Sequence, residues 1–128
     1  MSARFTRWLP ALLWAAAIFT LSAQPRLVEL PWVFGWDKLQ HCAAYAAGGA
    51  ALAYALRARP AGPWPWAAVA LGVLYGASDE IHQYFVPGRS SDWRDWVADT
   101  LGVLAGIILY RTFLTWQGRR ARAGTVRP

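Results

Sequence analysis

Three stretches of the chain contain no Asp, Glu, Lys or Arg, and a fourth is apolar over most of its length. The uncharged stretches cover residues 8–25, 39–56 and 60–78, and the fourth covers residues 96–116. The fourth carries Asp99 near its start and Arg111 near its end, on either side of the segment TLGVLAGIILY. Because an α-helix of about 17–25 apolar residues crosses a bilayer, this pattern predicts an all-α integral membrane bundle of four transmembrane helices.

The first apolar stretch also fits a cleaved signal peptide. Its polar end reads FTLSAQP, in which LSA is a poor match to a small-x-small cleavage site. We therefore expect the stretch to remain as the first transmembrane helix. The predicted organisation is one membrane domain over residues 1–118, followed by a basic, disordered cytoplasmic tail over residues 119–128.

Composition agrees with a membrane location and weakens the alternative of nucleic-acid binding. The 128 residues suffice for one domain, and 16% of them are charged, against about 25% in an average soluble domain. The net charge of +6 comes from twelve Arg and one Lys that lie between apolar stretches. Because there is no basic helix or aromatic-basic platform, we expect no nucleic-acid partner. Cys42, the single cysteine, lies inside an apolar stretch and is expected to be a packing residue.

The basic residues also predict an orientation. Nine lie in the N-terminal tail, the second loop and the C-terminal end, whereas four lie in the other two loops. The positive-inside rule then places both termini in the cytoplasm of a multi-pass protein of the bacterial inner membrane. All seven acidic residues fall in the two outward loops or the adjoining helix ends, where Glu29 lies in the first loop. Trp32 and Trp36 in that loop are expected to anchor at the membrane interface, as are Tyr84, Phe85, Trp93 and Trp96 around the other.

Polar side chains and small residues share the same predicted helix faces. Asp37 and His41 are four residues apart on the second helix, and Asp79 and His82 are three apart on the third. On the fourth helix, Asp95, Asp99, Gly102 and Gly106 form one stripe, and Gly72 and Gly76 continue the face of the third. Glycine at this spacing allows close helix approach, here expected between the third and fourth helices. An unpaired charge at membrane depth costs at least ~2.5–3.5 kcal/mol, so these groups should point inward and find partners.

The loop between the third and fourth helices contains two local signals. Pro87 and Gly88 in VPGR predict a turn, because proline fixes the backbone and glycine accepts positive φ. Asp92 is a candidate N-cap for the fourth helix, and Asp95 follows near the positive helix end. Both carboxylates therefore have a structural explanation.

The helix directions place His41, Asp79 and Asp99 at similar depth, with His82, Gln83 and Arg89 nearer the surface. We predict one outward-opening polar pocket built from these residues. The candidate catalytic residues are His41, Asp79, His82 and Asp99. The candidate substrate-binding residues are Asp37, Lys38, Glu80, Gln83 and Arg89.

Three segments together resemble the VanZ-like family, which is named for a teicoplanin-resistance protein. They are DKLQHCAAY, SDEIHQYFVPGR and DWVADTLG, and SAQP after the first helix fits the same pattern. The similarity covers about residues 22–106. The sequence departs from the family pattern at Asp99, where Asn is common, and at Cys42, where an aromatic residue is common. The resemblance implies a small helical membrane protein of the cell envelope and links the family to glycopeptide resistance, but it implies no defined reaction.

Two functions of different classes fit these residues. In the first, a membrane enzyme acts on a lipid-linked or envelope substrate: His41 or His82 moves protons, a carboxylate orients the imidazole and Arg89 holds an anionic group. In the second, a non-catalytic envelope binding or scaffold protein forms oligomers through its Gly-rich helix faces. Proton-linked transport is a weaker third. We expect membrane lipids as partners and no cofactor. Two histidines and several aspartates leave a metal site open, but no specific metal-binding spacing such as HExxH occurs.

Overall fold

The computed structural model describes residues 3–25 and 36–125, and in these ranges the chain is all-α. A short helix, α1 (Ala3–Thr6), precedes four longer ones: α2 (Leu9–Ser22), α3 (Trp36–Ala55), α4 (Trp66–Tyr84) and α5 (Trp93–Thr125). The predicted fold class is confirmed. Glu29 and Trp32, for which an outward loop and an interface anchor were predicted, lie outside the described residues.

Local sequence signals explain where the helices begin and end. Helix α3 closes with the Ala58 N–H donating to Ala53 O at 2.9 Å and the Arg57 N–H donating to Tyr54 O at 3.1 Å, the paired bonds of a Schellman motif. Arg57 takes the left-handed position of this motif, with φ of 56°. The loop that follows contains Pro60, Pro63 and Pro65, and α4 begins directly after it at Trp66. Helix α4 ends at Tyr84, six residues beyond the predicted apolar stretch. Asp79 and Glu80 thus lie within this helix.

The loop between α4 and α5 forms as predicted. The Arg89 N–H donates to Val86 O at 3.1 Å, and Gly88 between them has φ of 76°, which gives a type II turn with Pro87 at its second position. Asp92 caps α5, because its Oδ1 accepts the Arg94 N–H at 2.9 Å.

The tightest packing in the molecule joins α3 and α5 rather than α4 and α5. A Cβ atom added to Gly106 would overlap the backbone of Ala46, and one added to Gly102 would overlap the backbone of Cys42. The expectation that these glycines face α4 was wrong, because only α3 comes close enough to occupy their groove. Helix α4 does contact α5 through its own glycines, since Gly72 lies against the side chain of Val103.

Helix α2 is held to α3 and α4 by aromatic side chains. Trp14 donates its indole N–H to Ala44 O at 2.9 Å and covers Gly48. Tyr75 donates its hydroxyl to Ala15 O at 2.6 Å. These contacts hold α2 against α3 and α4.

Helix α5 extends further than the sequence predicted. It is helical through Thr125, so the basic segment from Arg119 to that residue is helical where disorder was expected; residues 126–128 lie outside the description. Arg111 on the same helix donates to the carbonyl oxygens of Pro60, Gly62 and Pro63 at 2.7–3.2 Å. This basic residue therefore secures the loop between α3 and α4.

Apolar side chains cover much of the surface, and several polar side chains are buried. Each of the four longer helices exposes large apolar side chains, whereas six of the described polar residues near one end are buried. Those six are Ser22, Asp79, Glu80, Gln83, Asp95 and Asp99. Among the described residues, one helix, Trp93–Gly124, is long and apolar enough to cross a membrane, and the shorter α2 is also apolar.

Candidate functional site

Two groups of charged side chains lie on adjoining turns where α3 begins, α4 ends and α5 begins. The outer network consists of Lys38 with Asp37, Asp92 and Asp95. The inner cluster consists of His41, Glu80 and Asp99, one turn further along α3 and α5. A pocket between α2, α3 and α4 adjoins the inner cluster at His41.

The charged side chains of the outer network bond one another. Lys38 Nζ donates to Asp37 Oδ2 at 3.0 Å and to Asp92 Oδ2 at 3.2 Å, and it also contacts Asp95 Oδ1. Partial burial acts to lower the pKa of Lys38, but its hydrogen bonds to the three aspartates outweigh burial and raise that pKa above its ordinary value. The Arg94 N–H, followed by Lys38, lowers the pKa of Asp92. Asp37 and Lys38, which the sequence predicted to bind substrate, therefore join α3 to the start of α5.

The two carboxylates of the inner cluster are buried, and only some of their oxygens have described hydrogen-bond partners. His41 Nδ1 lies 2.9 Å from Asp99 Oδ1. Glu80 Oε2 accepts the Ser91 hydroxyl at 3.1 Å and the Asp92 N–H at 2.9 Å. Asp99 is 0% exposed and Glu80 is 6% exposed. Within the described part of the chain, Asp99 Oδ2 and Glu80 Oε1 are buried and have no hydrogen-bond partner.

His41 and Asp99 have the arrangement of a proton-transfer pair. An ionised carboxylate only accepts hydrogen bonds, so beside ionised Asp99 the proton of neutral His41 lies on Nδ1. The carboxylate then fixes the ring orientation and stabilises the imidazolium that forms when Nε2 takes up a proton. The pair can serve as a general base.

The pocket has a volume of about 470 Å³. One part of its lining is apolar and the other is polar, so it suits a ligand with both characters. It is lined by Ile18, Leu21, Ser22, Gln24, Gln40, His41, Ala44, Tyr45, Asp79, Gln83 and Arg89. Asp79 Oδ2 accepts the side-chain amide of Gln83 at 3.0 Å, which fixes both groups within α4.

Arg89 connects the loop after α4 to the end of α2. Its guanidinium donates to Leu21 O at 2.7 Å, to Gln24 O at 3.1 Å and to Gln83 Oε1 at 3.4 Å. Arg89 thus brings positive charge to the pocket wall while it orders the α2 terminus.

The structure brings most of the predicted site residues together and separates one from them. The pocket is lined by His41, Asp79, Gln83 and Arg89, among others. Asp99 is not part of the lining, but it bonds His41, which is. His82 does not line it: its ring stacks on Phe19 with centroids 4.6 Å apart, and its Nε2 is buried without a described partner. Among the described residues, a carboxylate bonds the ring of His41, and none is seen to bond that of His82.

Sequence reasoning did not single out Gln40, Ser22 or Gln24 as pocket residues. Gln40 directly precedes His41, and Ser22 and Gln24 belong to the SAQP segment of the family pattern. That pattern was the available signal for the last two. Tyr45, a further pocket residue that the sequence did not single out, has a buried hydroxyl without a described partner.

Of the comparisons with known proteins, the one with protein families gives a match. The model of the VanZ/LLP1 family matches residues 5–114. No curated protein and no solved structure matches the chain. The match covers all four longer helices except the end of α5, and the suspected family is confirmed. The chain, all-α where it is described and with one helix long and apolar enough to cross a membrane, belongs to the VanZ/LLP1 family.

Proposed function

We propose that the chain is a multi-pass inner-membrane protein in which α2, α3, α4 and α5 all cross the bilayer, with both termini in the cytoplasm. The exposed apolar side chains on every longer helix support this arrangement, because lipid would cover them. The nine-to-four distribution of basic residues supports the orientation. Reporter fusions after Arg59 and after Pro128 should then report cytoplasm, and a fusion after Gly88 should report the exterior. An exterior C-terminus would contradict the orientation.

The function that the site supports best is action on a lipid-linked or other envelope substrate at the outer leaflet. The observation that carries this proposal is the pairing of His41 with buried Asp99 at the wall of a pocket that also contains Arg89. Apolar Ile18 and Leu21 suit a lipid chain, whereas the polar side suits a headgroup. His41 transfers the proton, Asp99 orients its ring and Arg89 attracts an anionic group.

A paired histidine experiment tests this function. The chain is expressed in a host deleted for its own copy, with susceptibility to a glycopeptide such as teicoplanin as the envelope phenotype. His41→Ala should abolish the phenotype, whereas His82→Ala should retain it, because His82 lies outside the pocket. Thermal unfolding in detergent checks that both variants fold. A folded His41→Ala variant with the full phenotype would contradict proton transfer.

A non-catalytic envelope binding or scaffold protein is the second candidate, and the outer network favours it. Lys38 and its three aspartates are satisfied within the chain, as expected for groups that only stabilise a fold. Oligomerisation through the glycines has less support, since Gly49, Gly102 and Gly106 already contact backbone of the same chain. A scaffold would lose its phenotype only with variants that unfold it, which separates it from the enzyme in the histidine experiment.

A further inference from the structure

The two buried carboxylate oxygens without hydrogen-bond partners lie next to a histidine. One ligand atom each from His41, Glu80 and Asp99 lies within 4.8 Å of the others. Glu80 Oε1 and Asp99 Oδ2 have no described partner, although both residues are more than nine-tenths buried. A buried oxygen of this kind costs about 1–3 kcal/mol, and more when it is charged, so a ligand at this position would relieve a real penalty.

The spacing of the donor atoms suits a metal ion. Ligand atoms at about 2.0–2.2 Å from a cation lie about 3–3.5 Å apart, so one ion could join donor atoms that lie within 4.8 Å of one another. An ion bound through His41 Nδ1 would replace the proton that this nitrogen shares with Asp99 Oδ1, because a ligating nitrogen carries no proton. Glu80 is held in position from outside the cluster, because Ser91 and the Asp92 N–H both bond its other oxygen. Such outer contacts are the usual means of orienting a metal-binding carboxylate.

The charge near the pocket gives an independent reason for a cation. Asp79, Glu80 and Asp99 bring three carboxylates to this end of the molecule, and Arg89 brings one guanidinium. An anionic headgroup would meet net negative charge there, and like charges in a region of low dielectric repel strongly. A divalent cation between Glu80 and Asp99 would neutralise most of this charge, and the ion and Arg89 would then both attract the anion.

We propose that His41, Glu80 and Asp99 form a binding site for one divalent cation beside the pocket. One imidazole and two carboxylates suit Zn²⁺ or Mn²⁺, which accept mixed nitrogen and oxygen ligands. His41 belongs to both the cluster and the pocket lining, so the ion would lie within reach of a pocket ligand. Cation binding uses the same His41 and Asp99 side chains as the proposed proton transfer, but it is measured without that reaction. Only the effect on an anionic headgroup rests on the proposed function.

The experiment measures metal content in purified full-length protein whose affinity tag has been removed. The protein in detergent is treated with EDTA, dialysed against Zn²⁺ or Mn²⁺, and analysed by mass spectrometry for metal per chain. Wild type should retain about one equivalent of one of the two ions. Glu80→Gln keeps the shape of the side chain but removes its charge, and it should weaken binding by at least ~10-fold. Asp99→Asn should have the same effect.

Asp37→Asn is the matched control, because Asp37 is also a carboxylate near the start of α3 but bonds Lys38 in the outer network. This variant should bind the cation as wild type does. Thermal unfolding with and without the ion gives a second readout: the ion should raise the unfolding temperature of wild type and Asp37→Asn but not of Glu80→Gln. Less than one-tenth of an equivalent in wild type, or equal binding by Glu80→Gln and wild type, would overturn the assignment. If wild type binds no metal and His41→Ala still loses the envelope phenotype, the cation site is rejected and the proposed function stands.

Discussion

The outer network and the inner cluster lie on adjoining turns at the same end of the fold, yet their charged groups differ in how fully they are hydrogen-bonded. In the outer network, one lysine whose side chain is 30% exposed bonds three aspartates. In the inner cluster, a histidine bonds one of two carboxylates, and each carboxylate keeps a buried oxygen without a described partner. Water reaches Lys38 in the first group, whereas Glu80 and Asp99 in the second are buried. One helical turn thus separates charges that bond one another from buried carboxylates that each keep an oxygen without a described partner.

Physical cost explains why this difference indicates function. Buried polar groups in native proteins are almost always hydrogen-bonded, and exceptions are concentrated at sites with a further role. The outer network needs nothing beyond the chain, and its loss should affect stability first. The inner cluster includes groups that contribute little to folding, and its loss should affect ligand binding first. The following experiments test that contrast, beginning with the helix contact on which both groups depend.

The largest effect is expected from Gly106→Ala. The added methyl group would overlap the backbone of Ala46, so α3 and α5 would have to separate and both charged groups would be disturbed together. We expect a loss of about 3 kcal/mol or more in the free energy of unfolding, measured by thermal unfolding in detergent. Gly118→Ala on the same helix is the control, because nothing lies within 4 Å of its added atom. A Gly106→Ala variant as stable as the control would show that the α3–α5 contact is looser than described.

An intermediate effect is expected from Lys38→Met, which removes the cation from the outer network. Asp37, Asp92 and Asp95 would then repel one another, with an expected loss of about 1–2 kcal/mol because the group is partly exposed. Adding Asp95→Asn should restore part of the stability, since Asp95 is the most buried of the three partners. Cation binding at the inner cluster should persist in both variants. If Lys38→Met instead abolished cation binding without loss of stability, the two groups would have to be regarded as one site.

The smallest effect is expected from pH. The pKa values of Asp37 and Asp92 are lowered in the folded protein: burial raises the pKa of Asp37, but its bonds with Lys38 outweigh this, whereas the Arg94 N–H and then Lys38 lower that of Asp92. A lowered carboxylate pKa stabilises the fold above the unfolded value of about 3.9 and loses that contribution as pH falls through the folded value. The raised pKa of Lys38 stabilises below about 10.4 and is lost as pH rises through its folded value.

The contribution of the outer network to stability should therefore be constant between about pH 4 and pH 10. The measurement is the difference in unfolding temperature between wild type and Lys38→Met across this range and beyond it. Taking the difference cancels the effect of other titrating groups, because both proteins contain them. The difference should shrink below about pH 4 and above about pH 10. A difference that changed between pH 5 and 8 would indicate that a histidine controls the network.

The amino-acid sequence alone determined the features that depend on neighbours along the chain. The apolar stretches gave four longer helices, and Pro87, Gly88 and Asp92 gave the turn and the cap that start α5. The spacing of Asp37, His41, Asp79 and Asp99 placed their side chains at the same end of the fold. These predictions held because helix periodicity, turn geometry and capping are set over a few residues. The termini were less predictable, since helical structure from Arg119 to Thr125 overrides a composition typical of a disordered tail.

Tertiary structure decided which of these side chains became partners. Lys38 bonds Asp92 and Asp95 from α5 and its capping residue, Arg89 turns to the carbonyl groups of α2, and His82 stacks on Phe19 outside the pocket. Glu80, which could equally have faced headgroups, is buried beside His41. Helical spacing assigns a residue to a face, but it does not say which helix lies opposite that face. The close approach of α3 to Gly102 and Gly106 made that choice, and with it brought His41 to Asp99.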